Sequence, residues 1–139
     1  VEEPVRVRLA GGAVVLGGRL DLLVGGPPTD RPAVVVEVKG GTWYDGMRAD
    51  GHLYALLVAL REGRPPATVV TVVADGTTQV EPVRPAVLAT AADRIEQAMG
   101  VAAAIAAGEP PAAHPGSHCL HCPVRAGCAE GSRWRPSRP

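Results

Sequence analysis

The residues best suited to chemistry in this sequence are two carboxylates on two short apolar segments. Residues 18–24 and 34–41 are rich in branched aliphatic residues, which predicts two strands, and the run of Gly, Pro and Asp between them predicts an antiparallel hairpin. If the hairpin folds symmetrically about Thr29, Asp21 lies directly opposite Glu37, with the two Cβ atoms about 5 Å apart.

Lys39 adds a cation to this pair. Side chains alternate along a strand, so Glu37 and Lys39 share one face while Val38 points away. Two carboxylates this close repel each other unless a cation or a shared proton relieves them, and a divalent metal ion is the simplest explanation. Lys39 is also the only lysine among 14 basic residues; a compact ammonium fits beside a phosphate oxygen or a metal-bound water where a planar guanidinium does not. The alternative is a surface Glu–Lys pair on an edge strand.

A second group of polar residues lies on a predicted helix over residues 43–62. Apolar residues recur there at helical spacing, and Gly63 with two prolines after it ends the pattern. The residues of this apolar face are Ala49, Leu53, Leu56 and Leu60. Asp50 and Tyr54 are four residues apart and share another face, with His52 to one side. The alternative for these three is a solvated polar face.

The C-terminal part of the chain concentrates metal-ligand chemistry. All three cysteines and three of the four histidines lie within residues 114–128. They are His114, His118, Cys119, His121, Cys122 and Cys128. The Cys-x-x-Cys spacing places two thiolates on one turn, as zinc or iron–sulfur ligation requires, and the last cysteine would be a third ligand. One of the histidines, or a residue from outside this sequence, would be the fourth. Because no targeting segment indicates secretion, we expect a metal rather than disulfides; the alternative is three free thiols in a mobile tail.

Composition sets the limits on partners. A chain of 139 residues is long enough for one real core, which must be built from Val, Leu and Ala because Phe is absent. The formal net charge is zero, so no global field attracts nucleic acid or membrane, and a nucleic-acid partner would need local cations or a metal. No apolar run reaches transmembrane length, and we expect no signal peptide. We expect a cytoplasmic protein without a membrane partner, and a domain of a longer protein, since the chain opens on a strand pattern without Met.

The remaining segments predict the elements that must position these residues. They are an edge strand over 5–9, a strand over 13–16 leading into a bulge or bend at Gly17-Gly18, a central strand over 67–73, its hairpin partner over 78–83 and an Ala-rich helix over 85–107. One face of that last helix is apolar and predicts core packing. Its residues are Leu88, Ala92, Ile95, Met99, Ala102 and Ile105.

Taken in their order along the chain, these motifs resemble those of a known protein family. Gly18-Arg19-Leu20-Asp21 followed by Val35-Val36-Glu37-Val38-Lys39 resembles the core of the PD-(D/E)XK nuclease superfamily, and more narrowly its RecB-type branch. That branch continues with a helix carrying Q-x-x-x-Y, and Asp50 to Tyr54 stands in this place with Asp where Gln is usual. Cys119, Cys122, Pro123 and Cys128 are similar to the C-x2-C-P tail of AddB-type and CRISPR-associated RecB-like exonucleases.

The resemblance implies a fold and a set of roles. The fold would be α/β, with a central mixed β-sheet flanked by helices as in restriction endonucleases, and a cysteine-rich metal-binding tail. Asp21, Glu37 and the carbonyl of Val38 would bind Mg²⁺ or Mn²⁺, and Lys39 would orient the attacking water or stabilise charge on the phosphate. Tyr54 and Asp50 are the other implied site residues: both would contact the DNA backbone or brace the site. Cys119, Cys122 and Cys128 would join a fourth, upstream cysteine around a [4Fe–4S] cluster, with Zn²⁺ as the alternative.

The domain organisation and function follow from the same resemblance. We expect a nuclease core over residues 1–109, a cysteine segment over 110–130 and a disordered basic tail over 131–139. The expected function is a metal-dependent deoxyribonuclease, an exonuclease of DNA repair, recombination or CRISPR adaptation. DNA would be its partner, together with a helicase or other domains of a longer protein. The alternatives are a non-catalytic DNA- or protein-binding module of the same fold and a small zinc-stabilised protein.

Overall fold

Strands form where branched aliphatic residues run between turn residues. The computed structural model describes residues 2–135. Its strands are β1 (Glu3–Leu9), β2 (Val14–Leu20), β3 (Leu22–Val24), β4 (Val34–Lys39), β5 (Thr68–Val73) and β6 (Thr78–Pro82). Its helices are α1 (Gly46–Glu62), α2 (Pro85–Ala106) and α3 (Ala129–Arg133). None of the helices in this part of the chain has both the length and the apolar character needed to cross a bilayer.

The strands form two sheets. β1 and β2 pair as an antiparallel hairpin, and the second sheet has the order β3-β4-β5-β6. The β4–β5 pair is parallel and the two outer pairs are antiparallel, so the sheet is mixed and helices flank it. The predicted α/β fold is confirmed, as are the inner position of β5 and its hairpin with β6.

The glycine pair in β2 does not form a bulge. Gly17 pairs with Arg6 and Gly18 with Val5 in an unbroken antiparallel register. A Cβ atom on Gly18 would lie only 2.6 Å from the ring of Tyr54. The prediction of a bulge or bend is therefore wrong, because Gly18 makes room for a helix side chain rather than for a distortion of the strand.

Helix α1 begins three residues later than predicted and packs through a different face. Its buried residues are Met47, Gly51, Ala55, Leu57 and Val58. Within the predicted apolar face, Leu53 packs partly against the core and Leu60 is exposed. A Cβ atom on Gly51 would lie 2.6 Å from Cγ1 of Val69, so small residues let the helix approach β5 closely. A pattern drawn through large apolar residues misses this face.

The chain divides into two compact units at the boundary between Gln97 and Ala98, inside α2. The core of the first unit combines both sheets with α1. Its buried residues are Val5, Leu20, Val35, Ala55, Leu57, Val58 and Val69. In α2, Leu88 packs against this core, whereas Met99 and Ile105 are exposed. The prediction that the whole apolar face of α2 is core is wrong for its C-terminal half, because periodicity identifies a face but not the element that covers it.

The second unit contains short turns around the cysteines. Two 3₁₀ turns, Ser117–Leu120 and Arg125–Gly127, precede α3. Residues 131–133, which we expected to be disordered, complete α3, and Arg125 donates a hydrogen bond to the carbonyl of Gly131. The rest of the predicted basic tail, residues 136–139 with Arg138, lies outside the described residues.

Candidate active site

Asp21 lies where the chain passes from one sheet into the other, between β2 and β3. Its Oδ2 accepts a hydrogen bond from the backbone N–H of Val38 at 2.7 Å, which ties this junction to β4. Leu22 pairs with Val36, and the next pair in that register places Asp21 beside Glu37. The predicted hairpin register is confirmed.

Glu37 is buried because the face of β4 that carries it lies beneath α1. It is 3% exposed. Its Oε2 lies 3.1 Å from Nζ of Lys39, whereas Oε1 is the one buried side-chain polar atom without a hydrogen-bond partner among residues 2–135. Burial raises the pKa of Glu37 by more than Lys39 lowers it, and the neighbouring Asp21 and Asp50 carboxylates add to the rise.

Lys39 lies between two carboxylates. Its Nζ is 3.1 Å from Oε2 of Glu37 and 3.0 Å from Oδ2 of Asp50. Burial acts to lower the pKa of Lys39, but the hydrogen bonds to Asp50 and Glu37 outweigh it, so the pKa is raised. Lys39 is therefore a cation held between two carboxylates. Asp50, where the motif usually has Gln, gives this cation a second negative partner.

The other predicted site residues take different places. Tyr54 packs over Gly18 and against the core, so the structure gives it a packing role beside the motif strand. The side chain of Val38 is 61% exposed, and only its backbone joins the site. His52 turns away to Glu81, with Nε2 and Oε2 3.0 Å apart. The structure thus brings together Asp21, Glu37, Lys39 and Asp50.

This arrangement suits a divalent cation bound by carboxylates. Across residues 2–135, no group of three or more His, Cys, Asp or Glu side chains could hold a metal ion, so such an ion would need ligands besides side chains. Main-chain carbonyls and water are ligands that Mg²⁺ accepts readily. The partnerless Oε1 of Glu37, next to a second carboxylate, fits a cation better than it fits a finished ion-pair network.

Sequence reasoning missed Thr71. It pairs with Glu37 across β4 and β5 and is 3% exposed, so a hydroxyl lies beside the buried carboxylate. The only signal in the sequence is a polar residue inside a β-branched run. Parallel pairing of strands more than thirty residues apart cannot be read from that run.

The cysteines lie together in the C-terminal unit, but among residues 2–135 they are not placed as a group of three ligands that could hold a metal ion. Cys119, Cys122 and Cys128 are free thiols, and all three line one cavity of about 160 Å³ together with His114 and His118. His121 is exposed and does not line it.

Backbone groups near the thiols suit a ligated sulfur. The N–H of Gly116 points to Sγ of Cys119 at 3.4 Å, and the N–H of Gly131 to Sγ of Cys128 at 3.3 Å. A Cβ atom on Gly131 would lie 3.3 Å from Sγ of Cys128 and 3.6 Å from Sγ of Cys119. Glycine here keeps open a space that borders two thiols, and hydrogen bonds to sulfur are features of thiolate metal centres.

A mixed sheet flanked by helices, with paired carboxylates and a lysine at one end of β4, defines a nuclease-type α/β domain. A sequence model of the PD-(D/E)XK nuclease superfamily matches residues 1–129. The chain belongs to this superfamily, whose members are typically nucleases, hence hydrolases, and usually use Mg²⁺ or Mn²⁺. A search of curated protein sequences found no match.

Proposed function

We propose that this chain is a metal-dependent deoxyribonuclease domain that hydrolyses phosphodiester bonds. The observation that carries the proposal is the buried Oε1 of Glu37, which has no hydrogen-bond partner within the described residues. A second carboxylate, Asp21, lies beside Glu37 at the junction of β2 and β3. A buried unpaired carboxylate oxygen is costly in a structural role. A divalent cation between the two carboxylates would remove that cost.

Each residue of the carboxylate site has its own role in this proposal. Asp21, Glu37 and the carbonyl of Val38 would hold Mg²⁺ or Mn²⁺, which when bound polarises the scissile phosphate and lowers the pKa of an attacking water. Lys39, kept protonated by Glu37 and Asp50, stabilises negative charge that develops on the phosphate. Asp50 positions Lys39 rather than contacting DNA. Tyr54 braces α1 over Gly18.

The RecB-type resemblance supports a narrower role. On that ground we place the domain among exonucleases of DNA repair, recombination or CRISPR adaptation, acting with a helicase or with other domains of a longer protein. The order of the motifs supports this assignment, and so does the presence of the cysteine tail at the expected end of the chain.

The cysteine segment would hold a metal centre of its own. Three thiols around one cavity, with backbone N–H groups directed at two of the sulfur atoms, fit a [4Fe–4S] cluster completed by a cysteine from elsewhere. Zn²⁺ completed by His114 or His118 is the alternative, and it would require these side chains to move closer, since no three ligand side chains among residues 2–135 are placed to hold an ion. The colour of the purified protein distinguishes the two metal centres: an iron–sulfur protein is brown and absorbs at about 400 nm, whereas a zinc protein is colourless.

The test is degradation of end-labelled single- and double-stranded DNA with Mg²⁺, with Mn²⁺ and with EDTA. Wild type should cut only with a divalent ion. Lys39→Ala and Glu37→Gln should lose at least about a hundredfold in rate, the range seen when one electrostatic stabiliser is removed. Glu96→Gln changes an exposed glutamate on α2 and is the matched control, which should cut like wild type.

Two results would contradict the proposal. Cleavage that persists in EDTA would rule out a metal-dependent site. Wild type that binds DNA but cuts neither substrate with either ion would favour the non-catalytic binding module.

A further inference from the structure

A second cavity lies on the flank of α1 opposite Asp50. Its volume is about 220 Å³. The aromatic and polar residues that line it are Trp43, Arg48, Thr71, Gln79 and Glu81. Apart from Thr71, which lies beside Glu37, none of these belongs to the carboxylate site, and the nuclease chemistry proposed above does not use them.

A row of paired residues on the sheet connects the lining of this cavity to the carboxylate site. Glu37 pairs with Thr71 and Thr71 pairs with Gln79, while the hairpin register puts Asp21 beside Glu37. These four polar residues therefore form one row across the four strands, on the face covered by α1. Adjacent strands are about 4.8 Å apart, so Gln79 lies about 10 Å from Glu37, within reach of a nucleotide next to the scissile phosphate.

The charges in the cavity do not suit an anion. Nε of Arg48 lies 3.4 Å from Oε2 of Glu81, and Nε2 of His52 lies 3.0 Å from the same oxygen. The charge of Arg48 is thus compensated by the glutamate. A phosphate group would meet a carboxylate here, which excludes the nucleic-acid backbone as the occupant.

The remaining groups suit a flat, neutral ligand with polar edges. Trp43 offers an aromatic surface, and its backbone is held because Oδ2 of Asp75 accepts its N–H at 2.9 Å. Oδ1 of the same aspartate accepts the N–H of Thr77 at 2.8 Å, which ties the segment after β4 to the β5–β6 turn. Gln79 offers both a donor and an acceptor, and Glu81 an acceptor, as the edge of a nucleobase requires.

We propose that this cavity binds one unpaired nucleobase of the DNA strand being cut, stacked on Trp43 with its edge at Gln79 and Glu81. The inference rests on the proposed nuclease function and specifies its substrate: a strand whose bases near the cut are unpaired. Stacking on an aromatic side chain is tolerant of sequence, so the cavity selects single-stranded DNA without selecting a base.

The test measures binding without cleavage. The chain has two tryptophans, so a Trp134→Phe variant leaves Trp43 as the sole fluorescent reporter. In EDTA, a five-nucleotide thymidine oligonucleotide should quench this fluorescence, and the same oligonucleotide with abasic sites should bind about 5- to 150-fold more weakly, the range for one stacked base. Trp43→Leu, followed by anisotropy of a labelled oligonucleotide, should remove this difference, while Tyr44→Leu, which alters an exposed neighbouring aromatic residue, should retain it.

The inference is overturned if the oligonucleotide does not bind, if the normal and abasic strands bind equally well, or if Trp43→Leu still distinguishes them. Failure of the nuclease function gives a different result. A protein that prefers the normal strand in EDTA but cuts nothing with Mg²⁺ refutes catalysis alone, whereas one that cuts but binds both strands equally refutes the base site alone.

Discussion

Gly18 is the glycine of the motif strand, and replacing it tests how α1 is seated beside the active site. In Gly18→Ala the new Cβ would lie 2.6 Å from Cε1 of Tyr54. The ring would have to withdraw by about 0.8 Å to restore an ordinary contact. Tyr54 packs against the core and cannot swing into solvent freely, so we expect overpacking to cost about 1–3 kcal/mol. That loss lowers the Tm by roughly 3–15 °C for a chain of this size.

The neighbouring glycine supplies a matched control. A Cβ on Gly17 would lie 3.5 Å from Cγ of Arg6 and 3.6 Å from the carbonyl oxygen of Val5, which are ordinary contacts. Gly17→Ala should therefore stabilise the protein by roughly 0.4–1 kcal/mol, because alanine has less conformational freedom to lose on folding. The two substitutions, one residue apart in one strand, should have opposite signs.

Thermal and urea unfolding in metal-free buffer, followed by circular dichroism, measures both effects. A double-mutant cycle with Tyr54→Leu isolates the clash, since Gly18→Ala should cost little once the ring is gone. The reasoning fails if Gly18→Ala is as stable as Gly17→Ala. It also fails if the loss is undiminished in the Tyr54→Leu background.

Two further predictions concern the metal centres. Burial raises the pKa of Glu37 above its ordinary value of 4.5. The stability contributed by the protonated side chain is therefore fully present below pH 4.5 and is lost as pH rises through the folded-state pKa. Metal-free Glu37→Gln should gain stability relative to wild type as pH rises, whereas the difference between the two should be independent of pH below 4.5. Urea midpoints that keep a constant separation between pH 4 and 8 would contradict this. Gly131→Ala places a methyl group 3.3 and 3.6 Å from two thiol sulfur atoms and should weaken metal binding by about 10–100-fold. Metal content after dialysis against a chelator measures this effect. Gly127→Ala, in which the new Cβ meets nothing within 4 Å, is the control. Equal retention of metal by the two variants would count against a metal centre beside Gly131.

Local chemistry explains what could be predicted from the sequence. Turn residues fix the register of a short hairpin, so the pairing of Asp21 with Glu37 followed from the position of the turn. The β5–β6 hairpin followed in the same way from Asp75-Gly76. The end of α1 was predictable because Gly63 takes the left-handed conformation that ends a helix, with φ of 70°.

What could not be predicted depends on contacts between distant segments. The close approach of α1 to β5 depends on Gly51 and Val69 together, and the burial of Glu37 beneath α1 could not be predicted from either residue alone. The placement of Thr71 beside Glu37 depends on a parallel register that no turn fixes. Asp50 could be proposed as a site residue from its spacing to Tyr54, but its ion pair with Lys39 could not.

The row of polar residues across the sheet has a consequence for how the chain finds its fold. Valines occupy both faces of β4 and of β5, so hydrophobicity alone hardly distinguishes the two faces. A strand that slipped by one residue would bury Val38 in place of Glu37 at little cost in apolar contacts, since only side-chain alternation separates the two alignments. Such a slip would break the hydrogen bond that the N–H of Val38 donates to Asp21 and the pairing of Lys39 with its two carboxylates. The groups that we propose for hydrolysis would thus also set the alignment of an otherwise ambiguous sheet, and a sequence that lost them would lose part of its folding specificity as well.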